Sequence, residues 1–170
     1  KKKCGRLLAL LLVAVMCLSV PAVAMAADGE AEFDGTTYAS VQDAVDAAAN
    51  AGGGTVTLLG NATESIAIPA GSSLTLDLGG FTLANESGED TISNRGALTI
   101  QGTGVVENTS SGCGALVNYP GATAVLNGGT FTANQWYTIK NLGDMRIGDG
   151  VTVTTGTSGS SLIDNGWYGN

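Results

Sequence analysis

The chain has 170 residues, of which 44% are hydrophobic and only 13% charged, with 26 glycines, three prolines and no histidine. All 15 acidic residues but only three basic ones, Arg95, Lys140 and Arg146, follow residue 26, a net charge of −12 from there on; such a surface repels phosphate backbones and excludes nucleic acid as the expected partner. Cys113 is the only cysteine beyond residue 26, so no internal disulfide is available there and stability has to come from packing.

Residues 1–26 read as a secretory signal peptide. Lys1, Lys2, Lys3 and Arg6 form a basic start, Leu7 to Val20 is an apolar run broken only by Ser19, and Ala24-Met25-Ala26 is a small-x-small cleavage pattern. The run is too short for a spanning helix, so no transmembrane span is expected after cleavage. Cys17 invites a lipoprotein reading, but Met16 before it is too large for a lipobox. The protein is therefore expected to be secreted and cell-surface associated, with residues 27–37 as a solvated leader.

A helix is predicted from Ser40 to about Asn50. Ser40 is a good N-cap, with Asp43 three residues on, and Val41, Ala44, Val45 and Ala48 fall on one face. Gly52-Gly53-Gly54 ends it. Residues 38–54 thus form a capping helix and turn, whose apolar stripe would cover the exposed first rung of a solenoid starting at Thr55.

From Thr55 onward the chain is a series of short alternating strands between Gly, Ser, Asn and Asp turns. One phrase recurs: Ile92-Ser-Asn94-Arg-Gly96, Leu116-Val-Asn118-Tyr-Pro-Gly121, Ile139-Lys-Asn141-Leu-Gly143 and Ile163-Asp-Asn165-Gly166. Its Asn residues are 24, 23 and 24 apart, the mark of a solenoid. Aligned on the phrase, Ile100, Val125 and Ile147 form one inward column headed by Leu76. Leu98, Thr123 and Met145 form a second, headed by Leu74; Val106, Phe131 and Val153 form a third. Ile92, Leu116, Ile139 and Ile163 make a fourth, and intervening residues such as Thr99 and Arg146 point outward.

Three strands per coil, stacked at about 4.8 Å, make a parallel β-helix of about 4–5 rungs of 22–25 residues over residues 55–170. Asn94, Asn118, Asn141 and Asn165 fit a structural ladder in which each amide donates to the next; the turn's left-handed backbone is an equally simple reason for Asn. The chain stops at Asn170, just after the fourth phrase opens another rung, so the natural protein is expected to continue. From the third column to the next Asn there are 12, 10 and 12 residues, which places variable loops at Asn108–Gly114, Ala133–Trp136 and Thr154–Ser160 on one face.

Tyr38-Ala-Ser-Val-Gln-Asp-Ala-Val-Asp-Ala-Ala, GGTVTLLGNATESIAIPAG (53–71) and SLTLDLGGFTL (73–83), together with the later TIQGTG and LNGGTFT turns, carry a likeness. Over residues 36–165 the chain resembles the right-handed parallel β-helix regions, of the pectin-lyase-like superfamily, in surface proteins of Gram-positive gut bacteria. The resemblance implies an all-β solenoid. It leaves activity open, because that superfamily holds pectate lyases, polygalacturonases and non-catalytic adhesins.

Catalysis on an acidic polysaccharide, as a lyase or glycoside hydrolase, needs clustered carboxylates, or an acidic Ca²⁺ site with a basic residue. The acidic residues scatter instead: Asp77 aligns with Gln101, Leu126 and Gly148, Asp144 with Ala97 and Ala122, and Asp149 with Gly102 and Asn127. No catalytic residue, metal site or cofactor is assigned. Arg146-Ile147 reads as surface, and Lys140 and Asp164, one rung apart, as a surface ion pair of about 0–1 kcal/mol. The candidate binding residues are Tyr119, Trp136, Tyr137, Trp167 and Tyr168, aromatics at or near successive turns. They suit stacking on sugars or anchoring protein contacts, although stacking on one another or shielding a rung junction is the favoured reading of the residues alone. The sequons at Asn61, Asn85 and Asn108 carry no functional reading, and Cys113 fits a reactive thiol, a crosslink or a small filler. A non-catalytic adhesin or stalk, with host or cell-wall glycans or surface proteins as partners, is the expectation.

Overall fold

A computed structural model describes residues 30–166. The expected signal peptide, Trp167 and Tyr168 lie outside the described residues.

The described chain winds through five coils of three strands. The first coil holds β3 (Gly54–Leu58), β4 (Ala62–Thr63) and β5 (Ile66–Ile68); the second β6 (Ser73–Asp77), β7 (Thr82–Asn85) and β8 (Ile92–Asn94). The third holds β9 (Ala97–Gln101), β10 (Val105–Asn108) and β11 (Leu116–Asn118); the fourth β12 (Thr123–Leu126), β13 (Gly129–Ala133) and β14 (Tyr137–Asn141). The fifth holds β15 (Asp144–Ile147), β16 (Val151–Thr155) and β17 (Ser161–Asp164). Equivalent strands pair in parallel, giving three sheets: β3-β6-β9-β12-β15, β4-β7-β10-β13-β16 and β5-β8-β11-β14-β17. We call these the first, second and third sheets.

Period-2 alternation sends one side chain of each pair inward. Val56, Leu76, Ile100 and Leu126 from the first sheet meet Leu83, Val106 and Phe131 from the second and Ile66, Ile92, Leu116 and Ile139 from the third, all fully buried. Each such side chain contributes about 1.5–3 kcal/mol of transfer free energy, so the stack, not the loops, holds the fold.

The fourth coil departs from the expected register. Ile100, Leu126 and Ile147 form the inward column, and Leu98, Ala124 and Met145 the second. Thr123 and Val125, expected inside, face out, and Asp144 pairs with Thr123 rather than Ala122. Leu126, expected beside Asp77 and Gln101, is interior. Tyr119-Pro120-Gly121 lengthens the corner by two residues, not one, and an even insertion leaves the inward face inward. The Val106, Phe131, Val153 column and the Ile92, Leu116, Ile139, Ile163 column stand in register as expected.

Part of the expected leader is folded. β1 (Ala31–Phe33) and β2 (Thr36–Tyr38) are an antiparallel hairpin, and β1 continues the first sheet by pairing antiparallel with β3. Asp34 (φ 49°) and Gly35 (φ 73°) form its two-residue turn, the left-handed pair that suits strand twist.

Helix α1 (Val41–Asn50) comes next, with Val41, Ala44, Val45 and Ala48 buried against the first coil. Ser40 Oγ accepts from Asp43 N at 3.1 Å. The Glu64 carboxylate accepts from Val41 N (2.6 Å) and Gln42 N (3.1 Å), so the helix start is satisfied from the first coil itself. The Gln42 side chain then takes the place of a strand: Ala67 N donates to its Oε1 (2.7 Å) while its Nε2 donates to Ala67 O (3.2 Å), closing the edge of β5.

Candidate functional site

The third sheet positions the candidate residues because three of its strands are entered through the longest loops among the described residues. Residues 86–91, 109–115, 134–136 and 156–160 lead into β8, β11, β14 and β17, whereas each strand leaves through the short Asn corner. At that corner Asn94 Nδ2 donates to Asn118 Oδ1 (2.7 Å), Asn118 Nδ2 to Asn141 Oδ1 (2.9 Å) and Asn141 Nδ2 to Asn165 Oδ1 (3.3 Å). At Asn94 and Asn141 the amide oxygen also serves the turn: Gly96 N donates to Asn94 Oδ1 at 3.1 Å and Gly143 N to Asn141 Oδ1 at 3.3 Å. Gly96 has a specific cause: a Cβ there would lie 2.5 Å from Pro69 O and 2.7 Å from Ser72 O of the preceding corner. Close stacking, not a positive φ, demands that glycine.

Two further buried asparagines shape the loops. Asn85 Nδ2 and Asn108 Nδ2 both donate to Glu89 O, at 2.7 and 2.8 Å. Their oxygens accept from Ser87 N (3.2 Å) and Ser110 N (2.9 Å), two residues on in each case. Sequence reasoning missed this role. Its signal was that Asn85 and Asn108 occupy the same register position two residues past the inward column.

The outward column of the third sheet, Ala67, Ser93, Val117, Lys140 and Asp164, is the floor of an elongated face. Over the first three coils an open concavity of about 460 Å³ runs between Glu89 and Asp90 on one side and Arg95 and Tyr119 on the other. Over the fourth and fifth a second, of about 640 Å³, is lined by Trp136, Tyr137, Lys140, Ser161, Asp164 and Asn165 among others.

Tyr137 stands where the two meet. Its ring packs against Gly114, where a Cβ would lie 2.5 Å from Cε2. Its hydroxyl donates to Asp90 Oδ1 at 3.2 Å, and Gly114 N donates to the same oxygen at 2.7 Å. Burial raises the Asp90 carboxyl above its ordinary value, against the lowering effect of those two donors and of Lys140. Burial, then the Asp90 charge and hydrogen bond, push the Tyr137 phenol up as well, with a smaller contribution from Tyr119. Two cations complete the face: the Arg95 guanidinium lies 3.8 Å from the Tyr119 ring centroid and Lys140 Nζ 5.4 Å from that of Tyr137. Tyr119 and Tyr137 are half-buried, whereas Trp136 is 65% exposed.

The Cys113 thiol donates to Gly88 O at 3.1 Å. Burial, then the charges of Asp90 and Glu89, raises its pKa, which lowers its thiolate fraction at neutral pH. Among the described residues no group of three or more His, Cys, Asp and Glu is placed to hold a metal ion. No strand register among them pairs two carboxylates. Glu64 lies near enough to help raise the Glu30 carboxyl, but both of its oxygens are engaged at the start of α1, accepting from Val41 N and Gln42 N. Among the described residues, no helix is long and apolar enough to cross a membrane.

Comparison of the chain with protein-family models, with curated proteins and with solved structures finds no match.

Proposed function

We propose that the chain is a non-catalytic binding module of a secreted, surface-associated protein, an adhesin or stalk, that offers the loop-bordered face of its third sheet to glycans or surface proteins. The observation that carries this reading is the gathering of four loops, Trp136, Tyr119, Tyr137, Arg95 and Lys140 on that one face, over a rigid stack. Binding groups set on loops over a stiff scaffold are the usual arrangement of a recognition surface. Export is supported by the composition of residues 1–26. The likeness to pectin-lyase-like β-helices of Gram-positive surface proteins supports the setting, and the five-coil parallel stack agrees with it.

The test is retention. Beads coated with the folded chain should bind cell-wall or mucin material saturably and leave it chemically intact. Incubation with polygalacturonate and Ca²⁺ should give no rise in ultraviolet absorbance from unsaturated products; a rise would replace this reading with a lyase.

A further inference from the structure

We propose that the concavity over the fourth and fifth coils is a subsite for one pyranose ring of a neutral glycan, with Trp136 as its stacking platform; this rests on the binding-module reading above. The backbone at Trp136 is the first observation. Tyr137 N donates to Gln135 O at 2.8 Å, closing a three-residue turn around Trp136, whose φ is +61°. A γ-turn with positive φ at its centre is rare and strained, and a bulky L residue brings its Cβ too close to the backbone there. Trp136 O also accepts from Ser161 N at 2.9 Å, so pairing to the fifth coil holds the turn in place.

Glycine would occupy this position without strain. Instead the chain places its largest apolar side chain there and leaves it 65% exposed. Strain and exposure both oppose folding, so neither is a gain in stability. Strained positions of this kind collect at ligand clamps.

The surroundings indicate the ligand. The Trp136 indole offers a flat apolar face suited to the C–H face of a sugar ring. Around it stand the Ser161 hydroxyl, the Asn165 amide, the Asp164 carboxylate and the Lys140 ammonium. Together they supply donors and acceptors in the mixture that sugar hydroxyls, themselves both, require. Lys140 and Asp164 are register partners, so the floor brings no excess positive charge. The surplus of acidic residues beyond residue 26 disfavours uronates and sulfated sugars.

The experiment uses the full chain on an array of neutral and uronate-bearing oligosaccharides, then titration calorimetry on whatever is retained, with Trp136→Gly and Ser161→Trp. Trp136→Gly relieves the turn and removes the platform. It should keep or raise Tm while weakening a neutral oligosaccharide by about tenfold or more. Ser161→Trp fills the concavity from the adjoining strand of the fifth coil with Trp136 intact, and should weaken binding comparably. Retention of uronate-bearing glycans alone overturns the ligand class. Binding by both variants within about twofold of the parent (a difference of roughly 0.4 kcal/mol) overturns the site. A lower Tm for Trp136→Gly, with Ser161→Trp still binding, makes Trp136 a packing residue. If no oligosaccharide is retained but coated beads still bind, the sugar subsite falls and the binding module stands; if the beads fail too, both fall.

Discussion

Among the described residues, the first and fifth coils differ in how their interior columns are covered. At the first coil, α1 buries Val41, Ala44, Val45 and Ala48 over the interior, Gln42 stands in for a strand beside β5, and the β1–β2 hairpin extends the first sheet. At the fifth, Ile147 (42% exposed) and Ile163 (38%) occupy columns whose members in the preceding coils are fully buried. A coil cannot bury its own interior face; it needs either a neighbour or a substitute. Ten helical residues with one apolar stripe are a sufficient substitute for a whole rung.

Equivalent substitutions at the two ends should therefore differ sharply. Val45→Asp puts an unpaired charge beneath α1 and should destabilise by roughly 3 kcal/mol or more, whereas Ile163→Asp should cost less than about 1 kcal/mol. Urea unfolding of the two variants checks this, and equal costs would remove the contrast. The next largest effect is in the ladder. Asn118 is fully buried, accepts from Asn94 and donates to Asn141 and Asp144 O, so Asn118→Ala should cost about 2–3 kcal/mol. Asn165→Ala, at an exposed position, should stay within about 0.5 kcal/mol.

A smaller effect is expected at the substitute strand. Gln42→Ala leaves Ala67 N–H and C=O without their partners and should lower stability by about 1 kcal/mol. It should also open an edge for self-association, visible as concentration-dependent light scattering; a strictly monomeric variant would show that α1 guards the edge by bulk alone.

The smallest is a pH effect. Burial first, then hydrogen bonding and charge from Glu64, raise the Glu30 carboxyl above its ordinary value. A group whose folded pKa is raised stabilises fully below its unfolded pKa, and that contribution is lost as pH rises through the folded value. Asp90 acts in the same direction. Tm should therefore fall as pH increases from about 4, the unfolded carboxylate value, and Glu30→Gln should flatten part of that fall. A parallel pH profile for parent and variant would show that Glu30 does not contribute.

The architecture was readable because its cause is repetitive. Each coil needs an aliphatic residue, an Asn and a close-packed corner in the same order, so the physics writes a period into the chain. The misplacement of Val125 and Thr123 shows the limit. A two-residue insertion at Tyr119-Pro120-Gly121 and a one-residue shortening of the next corner nearly cancel in the total spacing, while moving the strand between them. The hairpin at 31–38 was hidden by strands of three residues, although Asp34-Gly35 is a recognised hairpin dipeptide. The candidate face was only half legible. Aromatics at turns could be counted, but the strain at Trp136 arises from how the turn closes, and nothing in Gln135-Trp136-Tyr137 announces it. The reach of Tyr137 to Asp90 spans 47 positions and comes from stacking alone.

That reach has a mechanical side. A solenoid pulled along its axis sheds coils one by one, since each holds only its neighbours. Asp90 accepts from Gly114 of the third coil and Tyr137 of the fourth, tying the end of the second coil to two others in shear. Under load the fifth coil should peel first and the next three should yield as one longer step. Single-molecule pulling of the chain would read this in its extension steps, with Tyr137→Phe breaking the long step into shorter ones.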